Sequence, residues 1–471
     1  MNSGILRIMV ANVINLCIGL VNSFFLPRYL SVETYAMIKT YTLYLSYAGF
    51  FTLGYQDGMY LKYGGRTLSQ VAPDEYGTDF NNMFLLQGGL GIIIAIIACA
   101  TGNGILLAFS FGMWLNNMSG CYQTLFQSVG EFGLYSKALN IKPFIALISS
   151  LFLLFILQSD NYVPYIVCQI LASVVPFIYI TCILQSNLHF LGTGGVRLQN
   201  FWDNISSGFV LMLGNFSGII LTGIDRWFIK LLMTTTDFAI YSFAVSVDSL
   251  VAIFVNPVTI TMYHTLCIIK ESDKIREMKR MILLWGCVIM ALAFPAKWVI
   301  EHFLDKYLHS VELIFLLFAT QAFYAVIKGI YVNLFKARKQ QQTYFRQMIL
   351  IVIVAAALNG GGFLLFRSRV SIAAATFLSA LIWLTINERK NPEIAFRAKE
   401  WLFLGLMLAV FFACGLRLGA VAGLLAYGAC AVLLSLLLMR NTAVSMVMTG
   451  KRLARSKWTQ ITGKKNDTSD Q

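Results

Sequence analysis

Apolar residues run along this chain in long blocks that polar residues barely interrupt. Between Asp79 and Glu131 there is no Asp, Glu, Lys or Arg, and Trp401–Met439 contains only Arg417. Each stretch is long enough for two helices of about 20 residues with a turn between them, the length that crosses a hydrocarbon core. Barrel strands would instead alternate apolar and polar positions in segments of about ten. The pattern predicts fourteen helical spans, near 5–26, 35–56, 83–101, 104–127, 141–158, 162–185, 204–231, 237–262, 281–302, 311–335, 347–366, 370–386, 401–416 and 419–439. The first block runs past the length of a secretory apolar region and no small-residue cleavage site follows, so it reads as a retained helix.

Composition agrees with this pattern and removes other classes. Of 471 residues 58% are hydrophobic and 12% charged, against about 25% charged in soluble domains. The expected fold is therefore an all-α polytopic membrane protein. An even number of spans puts both termini on one side. The loops and tail of that side hold most of the 36 Lys and Arg, while the other side has only Arg28, Lys306, Arg367, Arg369 and Arg417. By the positive-inside rule both termini are cytoplasmic. Topology thus absorbs most of the net charge of +14, and no loop is long enough to fold as a nucleic-acid-binding domain. The tail segment KRLARSKWTQITGKK is expected either to rest on anionic membrane lipids or to end in solvent.

No chemistry of the covalent kind is visible. The nine cysteines are scattered without a CxxC pair, and the four histidines pair with no cysteine or second histidine at ligand spacing, so neither a metal site nor a disulfide set is expected. No phosphate loop of the GxxxxGK[ST] type occurs, so an ATP-driven pump would need a separate subunit. The chain reads as a non-enzyme without cofactors.

A thin internal repeat organises the spans. Aligning LSVETYAMI (30–38) with MTTTDFAIY (233–241) pairs Ala36 with Ala239, Tyr35 with Phe238, and Thr34 with Asp237 as expected N-caps; Phe51/Phe254 and Tyr60/Tyr263 follow. Two six-helix bundles in the same orientation result, helices 1–6 within residues 1–190 and helices 7–12 within 200–395. Helices 13 and 14 (396–440) and the basic tail (441–471) fall outside the repeat.

Ionisable residues inside spans cost about 2.5–3.5 kcal/mol each at a helix centre and persist where they face a cavity or a partner. Helix 7 carries Asp225, Arg226 and Lys230. Arg226 and Lys230 are one turn apart on one face, and Asp225 projects about 100° away. Two cations on one face suit a diphosphate, for which Arg offers a planar fork; the plainer alternative has Lys230 reaching the interface and Asp225 paired across helices. Asp248, eleven residues into helix 8, lies about 16 Å deep at 1.5 Å per residue. There it would serve as a H⁺ or Na⁺ site, or pair with Arg226 or Lys328. Lys328 is expected to face a cavity, and Arg28 and Lys39 stand near the outer mouth of the first bundle as substrate contacts or interfacial anchors. The cluster GYQDGMYLKYGG (54–65) sets Gly54 and Gly58 at the spacing that lets two helices approach closely. With Asp57 and Lys62 it reads either as an inner gate, Asp57 pairing with a cation of the second bundle, or as a packed helix end.

The run WDNISSGFVLMLGNFSGIILTGIDRWFIKLLMTTTDFAIYSFAVSVDSL (202–250) resembles the start of the second bundle in oligosaccharide flippases of the multidrug/oligosaccharidyl-lipid/polysaccharide exporter superfamily. The likeness rests on Gly-x-Asp-Arg-Trp in helix 7, Asp-Phe-Ala-x-Tyr at the start of helix 8, and the Gly/Leu/Asn-rich helix between 204 and 231. LFKARKQQQTYFRQM (334–348) and QSVGEFGLYS (127–136) are similar to that family's cytoplasmic connections, and GxQDGxYLxYGG to its surface-polysaccharide members. The resemblance implies two six-helix lobes around a central cavity in a bacterial cytoplasmic (inner) membrane. It also implies export of an undecaprenyl-diphosphate-linked oligosaccharide by alternating access, beside other polysaccharide-assembly proteins. Two alternatives stay open: an ion-coupled small-molecule (multidrug) antiporter of the same superfamily, and a membrane polymerase or ligase of the same pathway.

Overall fold

The computed structural model describes residues 18–19, 21–251, 254–255, 259, 262, 265–266, 268–338, 340–446 and 448. Most of the expected first span, the end of the eighth and the basic tail beyond 448 lie outside these. Among the described residues all regular structure is helical: sixteen α-helices joined by short 3₁₀ segments and one π-helical turn. Among the described residues nine stretches, from Pro73–Thr101 to Ala420–Leu438, are long and apolar enough to cross a membrane, and each coincides with an expected span. The chain is a multi-pass membrane protein. The side chains that face outward confirm which solvent it needs: Val421, Leu425, Val432 and Leu437 line the last of these helices at 60–70% exposure, a surface only lipid covers without cost.

The chain forms two compact units. The first comprises Met1–Ile253 with Phe345–Ile372, the second Phe254–Tyr344 with Ala373–Gln471. In the first unit the helices are α1 (Val32–Ser46), α2 (Tyr55–Tyr63), α3 (Pro73–Thr101), α4 (Gly104–Ser128), α5 (Phe132–Phe155), α6 (Tyr162–Leu188), α7 (Leu198–Leu232) and α8 (Thr235–Ser249). The second unit holds α9 (Ser272–Met290), α10 (Ala293–Phe303), α11 (Val311–Val326) and α12 (Asn333–Ala337). Then α13 (Gln341–Phe366) and α14 (Arg369–Lys390) run through the unit boundaries, and α15 (Ala398–Arg417) and α16 (Ala420–Leu438) complete the second unit.

The two stretches aligned in the sequence begin their helices alike. Both α1 and α8 are 15 residues long, and each opens on a hydroxyl cap: Ser31 accepts from the Thr34 amide and Thr234 from the Asp237 amide. The caps are therefore Ser31 and Thr234, three residues before the expected Thr34 and Asp237, because a capping oxygen satisfies the amide at the third helical position. Asp237 closes a reciprocal box by accepting from the Thr234 amide.

The expected span 35–56 is broken. After Ser46 the chain passes through a 3₁₀ turn (Ala48–Thr52), then Leu53 and Gly54 with φ of 52° and 84°, before α2 begins. Buried amide side chains hold the break: Asn117 of α4 donates to Ala48 O (2.8 Å) and Gln87 of α3 to Phe51 O (2.8 Å), while Asn117 also donates to Gln87 Oε1 (2.8 Å). Carbonyls that leave a helix inside a membrane need such partners.

In the second unit α15 is tied down at both ends. Lys297 of α10 donates to Gly415 O and Leu418 O (both 2.7 Å), capping its C-terminal carbonyls, and Glu400 in its first turn pairs with Arg280 of α9. Beside this, buried Lys279 of α9 bonds both oxygens of Glu388 (2.9 and 3.0 Å), and Tyr331 donates to the same carboxylate (2.7 Å).

Candidate functional site

The cluster 54–65 folds as a helix of its own, with different neighbours on its faces. On one face, Gly54 and Gly58 lie against the backbone of α7. A methyl on Gly58 would overlap the Asn204 backbone, and one on Gly208 would overlap Gly54 and Gly58. The small-residue spacing on α2 thus meets the α7 backbone at Asn204 and Gly208. Asp57 accepts from the Asn215 amide, also on α7 (3.0 Å); its partner is an amide where a cation was expected.

Another face of α2 surrounds a carboxylate. Asp79 of α3 is fully buried and accepts from Lys62 Nζ (2.7 Å), Tyr63 OH (2.6 Å), Tyr55 OH (3.3 Å) and Asn204 Nδ2 (3.0 Å). Lys62 also pairs with Glu75 at 3.4 Å, and Arg66 with Glu75 at 2.9 Å. Three elements therefore meet on one buried anion. In the one-dimensional pattern Asp79 is only the last acid before an uncharged stretch. Its signal is the set Asp79, Asn82 and Gln87, three buried polar side chains on a helix that becomes largely apolar beyond them. Asp79→Ala leaves the Tyr55, Tyr63 and Asn204 donors without this acceptor, at about 1–3 kcal/mol for a buried group left unsatisfied, while Lys62 keeps Glu75. Asp79→Ala is therefore expected to lower stability by at least about that amount, with Asp79→Glu losing less; thermal unfolding in detergent measures both.

Toward the opposite end of α7 stand the expected substrate residues. Asp225 is buried, accepting from Tyr241 OH of α8 (2.6 Å) and from the Arg226 backbone amide (2.7 Å). Arg226 is half-buried, and its Nε is shielded from solvent with no hydrogen-bond partner among the described residues. Lys39 of α1 donates to Ser246 of α8 (2.8 Å), lies 5.2 Å from the Tyr35 ring centroid, and is close enough to Arg226 for their charges to interact. Lys230 stands over the Phe238 ring at 5.0 Å, a cation–π contact that occupies its charge. Asp248 is half-buried one residue before the end of α8, and Arg28 is exposed.

Beside Arg226 the first unit contains a cavity of about 650 Å³ lined by Tyr44, Tyr47, Phe50, Phe109, Phe216 and Trp227 among others. Gly223 brings the two features together, since Tyr47 OH and Arg226 Nη2 both stand where its side chain would be. Lys328 lies in the second unit, within the π-helical turn Ile327–Val332, its ammonium 4.9 Å from the Tyr324 ring. Such turns distort the helix ladder and recur at functional sites.

The structure thus brings Lys39, Asp225 and Arg226 into one region and gathers Gly54, Asp57, Gly58 and Lys62 on α2. Residues 102–263 match the family model described as polysaccharide biosynthesis protein. None of the curated proteins matches the sequence significantly. Among solved structures, the chain is similar to the lipid II flippase MurJ in an inward closed conformation. The identity is 13%, 93% of this chain and 99% of that one are covered, and the TM-score is 0.63. It is also similar to an inward-facing multidrug resistance MATE family transporter of the MOP superfamily (10% identity, 81% and 98% covered, TM-score 0.55). The fold is that of these transporters and flippases, and the resemblance read from residues 202–250 is borne out.

Proposed function

We propose that the chain is a flippase that carries a diphosphate-linked oligosaccharide on a polyprenyl lipid across a bacterial cytoplasmic membrane, both termini lying in the cytoplasm. The observation that carries this reading is Arg226, a half-buried guanidinium close enough to Lys39 for their charges to interact, whose Nε is shielded from solvent with no hydrogen-bond partner among the described residues. A shielded guanidinium N–H left without an acceptor can donate to an anion's oxygen. The match to a polysaccharide-biosynthesis family over 102–263 supports a sugar-bearing cargo.

In this reading residues 1–190 and 200–395 are the two lobes, Lys230 and Arg28 are further candidate headgroup contacts in the first compact unit, and Lys328 is one in the second. Asp225 and Asp248 hold those cations in place or couple their movement to H⁺ or Na⁺. The seam between α2 and α7 is the inner gate. It opens by parting Gly58 from Asn204 and Asp57 from Asn215, while Lys62, Tyr55 and Tyr63 keep α2 attached to Asp79 of α3. Helices 13–14 of the expected layout (396–440) stand outside the two lobes.

Deleting the gene is expected to stop surface polysaccharide while lipid-linked repeat units accumulate on the cytoplasmic leaflet. Lipid extraction and surface staining of the mutant measure the two. Normal polysaccharide with lost drug resistance would instead support the antiporter.

A further inference from the structure

The aromatic cavity beside Arg226 has the size of a small-molecule site, which runs about 300–1,000 Å³. It opens between the broken segment Ala48–Thr52, α4 and α7. Its walls are ring faces. Tyr44 stacks on Trp227 with centroids 5.6 Å apart and planes at 13°, Phe50 meets Phe216 at 4.6 Å, and Phe51 meets Phe109 edge-on at 5.8 Å. Ile220, Ile224 and Leu106 supply the remaining lining.

Tyr44, Tyr47, Phe50 and Phe51 stand at i, i+3, i+6 and i+7, so they share one face as the chain passes from α1 into the 3₁₀ turn, and all four line the chamber. Asn117 and Gln87 maintain that turn at the expense of two buried amides. Tyr47 is the link to charge: its ring lines the chamber while its hydroxyl stands over Gly223 with Arg226 Nη2. An apolar chamber with a guanidinium at its rim is complementary to an amphiphile, with hydrocarbon inside and an anionic group at the edge.

The chamber is finite, so it takes a short length of chain, and the cation at its rim makes that length the one adjoining the anion. A saturated acyl chain is flexible and offers ring walls little to select. An isoprenoid has a methyl branch and a rigid double bond in every unit, a shape that ring faces read. We propose that this chamber seats the first isoprene units of a polyprenyl diphosphate, with the diphosphate at Arg226. The inference rests on the flippase reading above and adds to it where the lipid, as distinct from the sugar, is recognised.

The test uses the full chain in phospholipid nanodiscs and a farnesyl diphosphate carrying a terminal benzophenone. After irradiation the label is expected on the peptides spanning Tyr44–Phe51 and Phe216–Trp227, displaced by geranylgeranyl diphosphate. Ile220→Trp, which fills the chamber, should weaken labelling about tenfold with the helical circular dichroism unchanged, and Ile220→Val should label as the parent does. Should Ile220→Trp not fold, Leu106→Phe fills the chamber from the facing helix. Labelling elsewhere, labelling indifferent to the filled chamber, or displacement by phosphatidylglycerol as effective as by the prenyl diphosphate would each overturn the assignment. The flippase reading fails separately: label in the chamber with normal polysaccharide in the deletion mutant leaves a prenyl site without that transport, whereas the deletion phenotype without chamber labelling leaves the transport and removes the site.

Discussion

Arg226→Ala is expected to abolish transport or slow it by orders of magnitude, while Arg226→Lys retains part of it. A diphosphate carries about two negative charges, and bringing them into a cavity poor in water costs several kcal/mol unless a fixed cation meets them. Arg226 is preorganised for that role: α7 fixes its backbone, Asp225 accepts its amide proton, and Lys39 adds a second charge from α1. Lysine keeps the charge and loses the two-pronged geometry, so the loss is partial. Because the Arg226 charge also acts on buried Asp225, the double variant Asp225→Asn with Arg226→Gln separates the roles. If the neutral pair restores full transport, Arg226 is only a structural partner. Each variant must first be shown at parental abundance in the membrane.

The second large effect is at the α2–α7 seam, where one helix provides its own control. Gly208→Ala places a methyl on the Gly54 carbonyl and the Gly58 amide, both backbone atoms that cannot rotate away. Six residues on, Gly214 has nothing within 4 Å of where a side chain would be. Overpacking a core costs about 1–3 kcal/mol and sometimes more, whereas an unobstructed Gly to Ala change inside a helix gains about 0.5–1 kcal/mol. Gly208→Ala is therefore expected to lower the unfolding temperature in detergent, and Gly214→Ala to leave it equal or higher. Equal effects at the two positions would mean that the seam is not closely packed in the membrane.

Much of the fold is legible because a bilayer demands one thing of every span, an apolar stretch of sufficient length, and nine such helices coincide with expected spans. The spacing of Gly54 and Gly58 announces a close approach; it does not name the helix that approaches. That helix is α7, about 150 residues away in the chain, and proximity of that kind is not written in local periodicity. The break after Ser46 is hidden for a related reason. LSYAGFFTLG stays apolar throughout, and what permits the break is a pair of amides at Gln87 and Asn117 that hydropathy records only as slight dips. The π-helical turn that carries Lys328 is equally silent, since one inserted residue leaves the apolar content unchanged. Asp79 illustrates the opposite failing. The acid is plain in the sequence, but its four donors come from α2 and α7, so only the assembled structure distinguishes it from an ordinary residue at a helix start.

The most direct measurement is leaflet-resolved transport by the purified chain in proteoliposomes loaded with a lipid-linked oligosaccharide, using a membrane-impermeant glycosidase or lectin to count the headgroups on each side. A flippase moves the headgroup between leaflets with the wild-type chain and fails to do so with Arg226→Ala. Headgroups that stay in their original leaflet with the wild-type chain, while a small cationic drug crosses the same vesicles in exchange for H⁺ or Na⁺, would contradict the lipid-flipping function and assign the fold to antiport.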